Sequence, residues 1–269
     1  MSEPSKAQES VRIAGLQTRG TPGDVPANLA ELDRAAHEAA ERGVRLLITP
    51  ELFLTGYDIG DEVHRLARQD LCARAAEIAA RTGVAIVLGA PEYADGTYYN
   101  TAFFLDDHGQ LRARYRKTHL FADLDRKYFA PGEELVCVVR YAGLKIALLI
   151  CYDVEFPEPV RAAADAGAQL IAVPTAQMTP FEFVAENVVR TRAWENQVYV
   201  AYINHEGNER TLSYVGRSSI IAPSGEVLDS VVHGTKLLIA DVSPEAVARA
   251  QADNPYLTDR RPDLYEERP

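Results

Sequence analysis

The sequence predicts an α/β protein built as a four-layer α-β-β-α sandwich with two mixed β-sheets, and three observations carry that expectation. Short aliphatic runs, VRLLIT (44–49), KIALLI (145–150) and QLIAVPT (169–175), lack polar alternation and read as strands buried on both faces. Stretches with apolar residues at helical spacing alternate with them. The rhythm of strand, helix, strand, helix and paired strands runs once through the first half and again through the second. Two sheets packed face to face, with helices outside, satisfy that order.

Residues 1–10 are polar and are expected to be flexible. VRIAGLQ (11–17) alternates as a strand, and a Thr21-Pro22-Gly23-Asp24 turn leads to a helix over 26–42 with Leu29, Leu32, Ala36 and Ala40 on one stripe. After VRLLIT stands Pro50-Glu51, then a long helix over 61–81 ended by Gly83. VAIVLGAPE (84–92), YYNTAFFLD (98–106) and LRARYRK (111–117) form a meander through Asp95-Gly96 and Asp107-His108-Gly109. Alternation sends Arg112, Arg114 and Arg116 to the solvated face, and Lys117 breaks it. Residues 122–127 read as an irregular charged loop. LVCVVR (135–140) pairs with KIALLI through Ala142-Gly143, and Pro157 and Pro159 open a short helix closed by Gly167. A helix over 180–197 follows QLIAVPT. VYVAYIN (198–204), GRSSIIA (216–222), EVLDSVV (226–232) and LLIADV (237–242) are strands, and a last helix begins near Ser243-Pro244. The tail, 253–269, is too polar for core and is expected to pack on a partner subunit.

With 269 residues and no Ser/Gly-rich linker, one domain over 11–252 is expected. Lys and Arg number 28 against 39 Asp and Glu, a formal charge of −11, which argues against nucleic acid or an anionic membrane surface as partner. The first ten residues contain no apolar signal core, and no run is long enough to span a bilayer, so a cytoplasmic protein is expected. Three cysteines, Cys72, Cys137 and Cys151, are too few for a disulfide framework and fit a reducing compartment. Six scattered histidines without a CxxC or HxxxH pair make no zinc site, so the chemistry is expected to need neither metal nor organic cofactor.

Cys151 ends a buried strand just before a helix start. Residues there line the ligand crevice of open α/β sheets, and a helix N-terminus stabilises a thiolate. A buried thiol is also an ordinary small core residue, and position alone favours that reading slightly. Glu51, just past another buried strand, fits a solvated loop acid at least as well as a functional group.

Three fragments change the balance together: Pro50-Glu51-Leu52, Arg116-Lys117-Thr118-His119-Leu120, and Cys151-Tyr152-Asp153 with Phe156-Pro157-Glu158. In that order they resemble the nitrilase superfamily of carbon-nitrogen hydrolases, as do Arg192-Ala193-Trp194-Glu195-Asn196 and Gly216-Arg217-Ser218-Ser219 through Pro223-Ser224-Gly225. Each motif is weak alone, but five in sequence order are specific, and the resemblance covers nearly the whole chain. It implies Glu51 as general base and acid, Lys117 as oxyanion stabiliser, Cys151 as nucleophile and a homodimer. These roles suit the chemistry, because a thiol of ordinary pKa about 8.5 needs an adjacent base or cation to attack a carbonyl at neutral pH. Many members of the family carry a second glutamate after the lysine. Counting back from Tyr128-Phe129-Ala130-Pro131-Gly132, that position here holds Asp125, with Glu133 and Glu134 as alternatives.

Tyr152-Asp153 is similar to the amidase branches rather than to nitrilases proper. Glu155 stands where branches acting on anionic substrates commonly carry Arg, which implies a small neutral carboxamide as substrate. Tyr57, Tyr152, Thr175 and Ala176, each beside a motif and just past a strand end, are the candidates for the pocket wall. Tyr57 and Thr175 fit a structural role equally. Nitrile or N-carbamoyl amide hydrolysis is the alternative within the class. A non-catalytic thiol redox or binding protein is the alternative outside it, though it leaves Glu51 and Lys117 without a purpose.

Overall fold

The computed structural model describes residues 10–265, so all but Ser10 of the N-terminal segment expected to be flexible lies outside the described residues, as does the end of the tail. The first half of the chain runs β1 (Val11–Gln17), α1 (Val25–Glu41), β2 (Leu46–Ile48), α2 (Glu62–Leu66), α3 (Leu71–Thr82), β3 (Ala85–Ala94), β4 (Thr97–Leu105), β5 (Leu111–Arg116) and α4 (Ala122–Arg126). The second half runs β6 (Val138–Tyr141), β7 (Leu144–Leu148), a 3-10 turn (Cys151–Glu155), α5 (Pro157–Asp165), β8 (Leu170–Thr175), a π turn (Val184–Val188) and α6 (Val189–Asn196). It continues through β9 (Tyr199–Asn204), β10 (Glu206–Glu209), β11 (Leu212–Val215), β12 (Ser218–Ile221), β13 (Val227–Val231), β14 (Lys236–Val242), α7 (Pro244–Asp253), α8 (Tyr256–Asp259) and α9 (Pro262–Tyr265).

Two six-stranded sheets share one plan, ordered β14-β1-β2-β3-β4-β5 and β13-β12-β9-β8-β7-β6, with β14 returning from the end of the second half to the edge of the first sheet. Each has three central parallel strands flanked by antiparallel ones, with Ile13 beside Leu46 and Leu46 beside Ala85 in one sheet and Ile146 beside Leu170 and Leu170 beside Tyr199 in the other. Between the sheets, Ile13, Ile48, Val87 and Phe104 pack with Ile146, Leu148, Ala172 and Ile203. The approach is close: a Cβ on Gly15 would stand 2.0 Å from Ile203 Cδ1. Leu29, Leu32 and Ala36 of α1 and Ala75 and Ile78 of α3 cover the outside of the first sheet against Leu47 and Ile86. Val160 and Ala163 of α5, with Val189 and Ala193 of α6, cover the second. The expected four-layer α-β-β-α sandwich is thus the observed architecture.

Local chemistry revises several elements. The helix expected over 61–81 is two helices, because Asp70 turns its carboxylate to the Ala73 N–H (3.0 Å) and caps a fresh N-terminus at α3. Residues 122–127 are not an irregular loop: most of them form α4, where Asp125 folds back to accept the Phe121 N–H at 2.8 Å. The π turn and α6 together replace the uninterrupted helix expected from 180. The β10–β11 hairpin has no strong period-two signal in EGNERTLSYV, and its pairing is supplied by register, Glu206 opposite Val215. Arg114 and Arg116 do not simply face water but reach the buried carboxylate of Glu92, at 2.8 Å each. Part of the tail packs on its own chain, with Tyr256 edge-on to Trp194 and Arg260 paired with Asp165 at 2.7 Å. Among the described residues, no helix is long and apolar enough to cross a membrane.

Candidate active site

Three segments, leaving β2, β5 and β7, meet where the carboxyl ends of the parallel strands of both sheets come together. Glu51 lies in the turn after β2, and that turn rests on β3: a Cβ on Gly89 would stand 2.1 Å from Pro50 O and 2.9 Å from Glu51 Cα. Only a bare backbone at Gly89 lets the turn lie so close. The Glu51 N–H donates to Thr175 O (3.3 Å) at the end of β8, and His205 Nε2 donates to Glu51 O (2.7 Å). Both sheets therefore hold the Glu51 backbone.

Lys117 follows β5, with its N–H on Asn100 O (2.8 Å) and its carbonyl accepting from the Gly132 N–H (2.8 Å). Its side chain runs inward and is fully buried. Nζ donates to Glu51 Oε1 at 2.7 Å and to Asp125 Oδ2 at 2.6 Å. Asn100 Nδ2 also donates to Glu51 Oε1 (2.7 Å), whereas Glu51 Oε2 is buried with no partner among the described residues. Tyr57 donates its hydroxyl to Asp125 Oδ1 (2.9 Å), and its ring centre lies 5.7 Å from Lys117 Nζ. Glu133 and Glu134 are exposed and border a separate recess with Tyr99 and Arg114, so of the three candidates for the second carboxylate it is Asp125 that lies against Lys117.

Cys151 opens the 3-10 turn in the left-handed backbone region, φ 41°, as Leu52 does beside Glu51 at φ 49°. Such a conformation costs a non-glycine residue about 1–3 kcal/mol and persists only where its surroundings hold it. Here Asp153, fully buried, accepts from the Ile150 N–H (3.1 Å), the His119 N–H (2.9 Å) and Thr118 Oγ1 (2.9 Å), tying the turn to the segment after Lys117. From α6, Arg192 donates Nε to Val154 O (3.0 Å) and Nη2 to Glu155 O (2.6 Å). The thiol is buried, and Glu51, Lys117 and Glu155 are all near enough to act on its charge.

The electrostatics follow from one ammonium shared by two carboxylates in a dry site. Burial raises the Glu51 pKa; Lys117 opposes that and Asp125 adds to it, and the net direction is upward. Burial pulls Lys117 down, but the charges of Asp125 and Glu51 outweigh it and keep the amine firmly protonated. Burial, then the Glu51 charge, push the Cys151 thiol well above its ordinary value, against Lys117 and a hydrogen bond from the Ala176 backbone. The helix start expected to favour a thiolate is outweighed by desolvation: the resting sulfur is a thiol, beside a carboxylate whose proton affinity has been raised.

Of the candidate wall residues, Ala176 touches the thiol through its backbone. Tyr152 stands edge-on to Phe121 (5.2 Å between centroids) and Phe156 (4.9 Å), forming an aromatic wall that Phe181 extends. Tyr57 belongs to the charged cluster through its hydroxyl. Thr175 turns Oγ1 back to Val173 O (3.0 Å) and serves the site through its own carbonyl. Asn100, Asp153, Arg192 and His205 were not singled out for the site from sequence. The one signal for Asn100 and Asp153 is a polar residue inside an otherwise apolar or aromatic stretch.

A buried glutamate, lysine and cysteine at the joint of two facing sheets define a class. The family model described as carbon-nitrogen hydrolase matches residues 11–252, and the chain belongs to that family. Within it the protein is an amidase of the nitrilase superfamily. It is 30% identical to an (R)-stereoselective amidase of Pseudomonas sp, over 93% of this chain and 92% of that one. It is 45% identical to the protein named hydrolase in pqqF 5′ region of Pseudomonas protegens, over 96% and 92% of the two chains. The amidase of Nesterenkonia sp. AN1, solved as a double mutant with acrylamide, superposes with a TM-score of 0.88 at 35% identity, covering 98% of each chain. In another solved mutant of that amidase the active-site cysteine carries the acetamide moiety of fluoroacetamide.

Proposed function

We propose that the protein hydrolyses small neutral carboxamides to a carboxylic acid and ammonia through a thioester on Cys151. The observation that carries this reading is the asymmetry of Glu51, whose charge acts on the Cys151 thiol: Oε1 is saturated by Lys117 and Asn100, while Oε2 is buried and has no partner among the described residues. Glu51 takes the thiol proton as sulfur attacks the amide carbon. The resulting oxyanion is met by Lys117, two of whose three ammonium N–H groups are already spent on carboxylates, and by the Tyr152 N–H. A donor of this kind is worth about 3 kcal/mol. Glu51 returns the proton to the departing amine, releasing ammonia, then takes one from the water that attacks the thioester, and Cys151 is restored as a thiol. Asp125 holds Lys117 through a second ammonium N–H.

The full burial of Glu51 and Lys117 suits a small substrate, and the aromatic wall suits an apolar acyl group. Two carboxylates against one ammonium, with half-buried Glu155 nearby, disfavour an anionic one. The free state of Cys72, Cys137 and Cys151 suits a cytoplasmic location. The homodimer the resemblance implies belongs to the same reading, and light scattering at micromolar concentration tests it.

Ammonia release over a panel of small amides, with Cys151→Ala as blank, tests the activity. Turnover of an amide but not of the matching nitrile is expected. A reactive Cys151 that turns over no amide would sink the proposal.

A further inference from the structure

The β10–β11 hairpin lies outside the catalytic set, yet it and the residue leading into it grip both ends of the segment that carries Glu51 and Tyr57. At one end His205, which leads into the hairpin, donates Nε2 to Glu51 O at 2.7 Å. At the other, Glu209 Oε1 accepts the backbone N–H groups of Tyr57 (2.9 Å) and Asp58 (3.1 Å). Thr211 adds its N–H and hydroxyl to the Asp58 carboxylate at 3.2 and 2.8 Å. The other Glu209 oxygen accepts the Tyr214 hydroxyl, and the Tyr214 ring stacks on His205, 5.1 Å between centroids. On its far side the hairpin is fastened to the strand end beside Cys151, with the Val215 N–H on Gln177 O at 3.0 Å.

Glu209 is only 4% exposed, and among the described residues no basic nitrogen stands within ion-pair distance of it. A buried carboxylate without a cation is costly, and joining two loops would not by itself require one. What a carboxylate supplies here is capacity: one oxygen takes two adjacent N–H groups while the other is locked by a tyrosine. The opposing backbone is cut to receive it, since a Cβ on Gly56 would stand 2.5 Å from Glu209 Oε1.

We propose that Glu209 is a positioning residue for amide hydrolysis: it fixes the backbone at Tyr57, so that the Tyr57 hydroxyl holds Asp125, and Asp125 holds Lys117. The chain of contacts is continuous, from the Glu209 carboxylate to Tyr57 N, through the Tyr57 ring to Asp125 Oδ1, and from Asp125 Oδ2 to Lys117 Nζ. The inference rests on the proposed role of Lys117, and displacement of such a group by about 1 Å costs about 100-fold in rate.

The test is steady-state hydrolysis of butyramide by Glu209→Ala, Glu209→Gln and Tyr57→Phe, and by the Glu209→Ala/Tyr57→Phe double variant. Expected is a loss in kcat of about 10- to 100-fold for Glu209→Ala with KM within about threefold. Gln, whose carbonyl still accepts both N–H groups, restores kcat to within about fivefold. In the Tyr57→Phe background the alanine substitution costs less than about twofold more, as expected when two residues act in series. Glu209→Ala activity within twofold of wild type, multiplying losses in the double variant, or a loss that only tracks the folded fraction in a thermal melt overturns the proposal. If the alanine variant does not fold, Glu209→Asp, which withdraws the carboxylate by one methylene, carries the same expectation, and an unchanged kcat overturns it. Alkylation of Cys151 by iodoacetamide is measured in the same variants. If the wild type turns over no amide, the hydrolase reading fails on its own. The positioning role then stands on a fall in alkylation rate of about tenfold for Glu209→Ala and is overturned by an unchanged rate.

Discussion

Glu51, in the turn that rests on β3, and Glu92, on β3 itself, are both buried carboxylates paired with a cation from the end of β5, yet they are opposite kinds of group. Arg116 and Lys117 are consecutive residues pointing to opposite sides, one to Glu92 and the other to Glu51. Around Glu92 every lone pair is used: Oε1 accepts from Arg114 Nη1 (2.8 Å) and Arg116 Nη2 (3.0 Å), and Oε2 from Arg116 Nε (2.8 Å) and Thr101 Oγ1 (3.1 Å). Burial raises its pKa, but the Arg116 and Arg114 contacts outweigh that and hold it below the ordinary carboxylate value. Around Glu51 a single ammonium is divided between two acids, one oxygen has no donor among the described residues, and the pKa moves up. Full satisfaction makes a strut. Partial satisfaction in a fully buried site makes a base.

The contrast is broken most severely at the reacting groups. Cys151→Ala is expected to abolish amide turnover, and Glu51→Gln to lower kcat by about 1,000-fold or more while the protein stays folded, as ammonia release and circular dichroism will show. Asp125→Asn gives Lys117 to Glu51 alone and is expected to lower kcat by about 10- to 100-fold, read in the same assay. The pH profile sharpens the comparison. Because the base must be ionised and its pKa is raised, kcat/KM is expected to fall as pH drops through a value above the ordinary carboxylate range. Asp125→Asn removes a charge that raises that pKa, so the acid limb is expected to move to lower pH.

Glu92→Gln should produce the smallest effect and the opposite pattern. Activity is expected to stay within about twofold, with stability at pH 7 lower by about 1–2 kcal/mol in urea unfolding. The folded-state pKa of Glu92 lies below its unfolded value, so its contribution is fully present above about pH 4.5 and is lost as pH falls toward the depressed pKa. The difference between wild type and variant should therefore shrink on acidification over that window. A difference that grew would remove Glu92 from the role of strut.

The cation side of this contrast is legible in the sequence. Arg116 and Lys117 were separated by strand alternation, and Lys117 was marked by breaking it. That Arg114 and Arg116 converge on Glu92 was not legible, because alternation says which face a side chain occupies and not what covers that face. Asp125 is one of three candidate acids after Lys117, and its placement depends on α4, which at five residues is too short to hold itself as a helix. The hairpin holding Tyr57 leaves little trace in the sequence, because its strands of four residues alternate weakly and are paired by tertiary contacts.

The sequence by itself determined the sandwich and the three segments that carry Glu51, Lys117 and Cys151, since periodicity, turn residues and short motifs are local properties of a chain. Only the tertiary structure decided which acid shares the Lys117 ammonium, which oxygen of Glu51 lacks a donor, and that a glutamate 152 residues along the chain holds the Tyr57 backbone. Those are contacts between segments far apart in the chain. Their partners are chosen by how two twisted sheets pack, and that packing depends on the whole core at once.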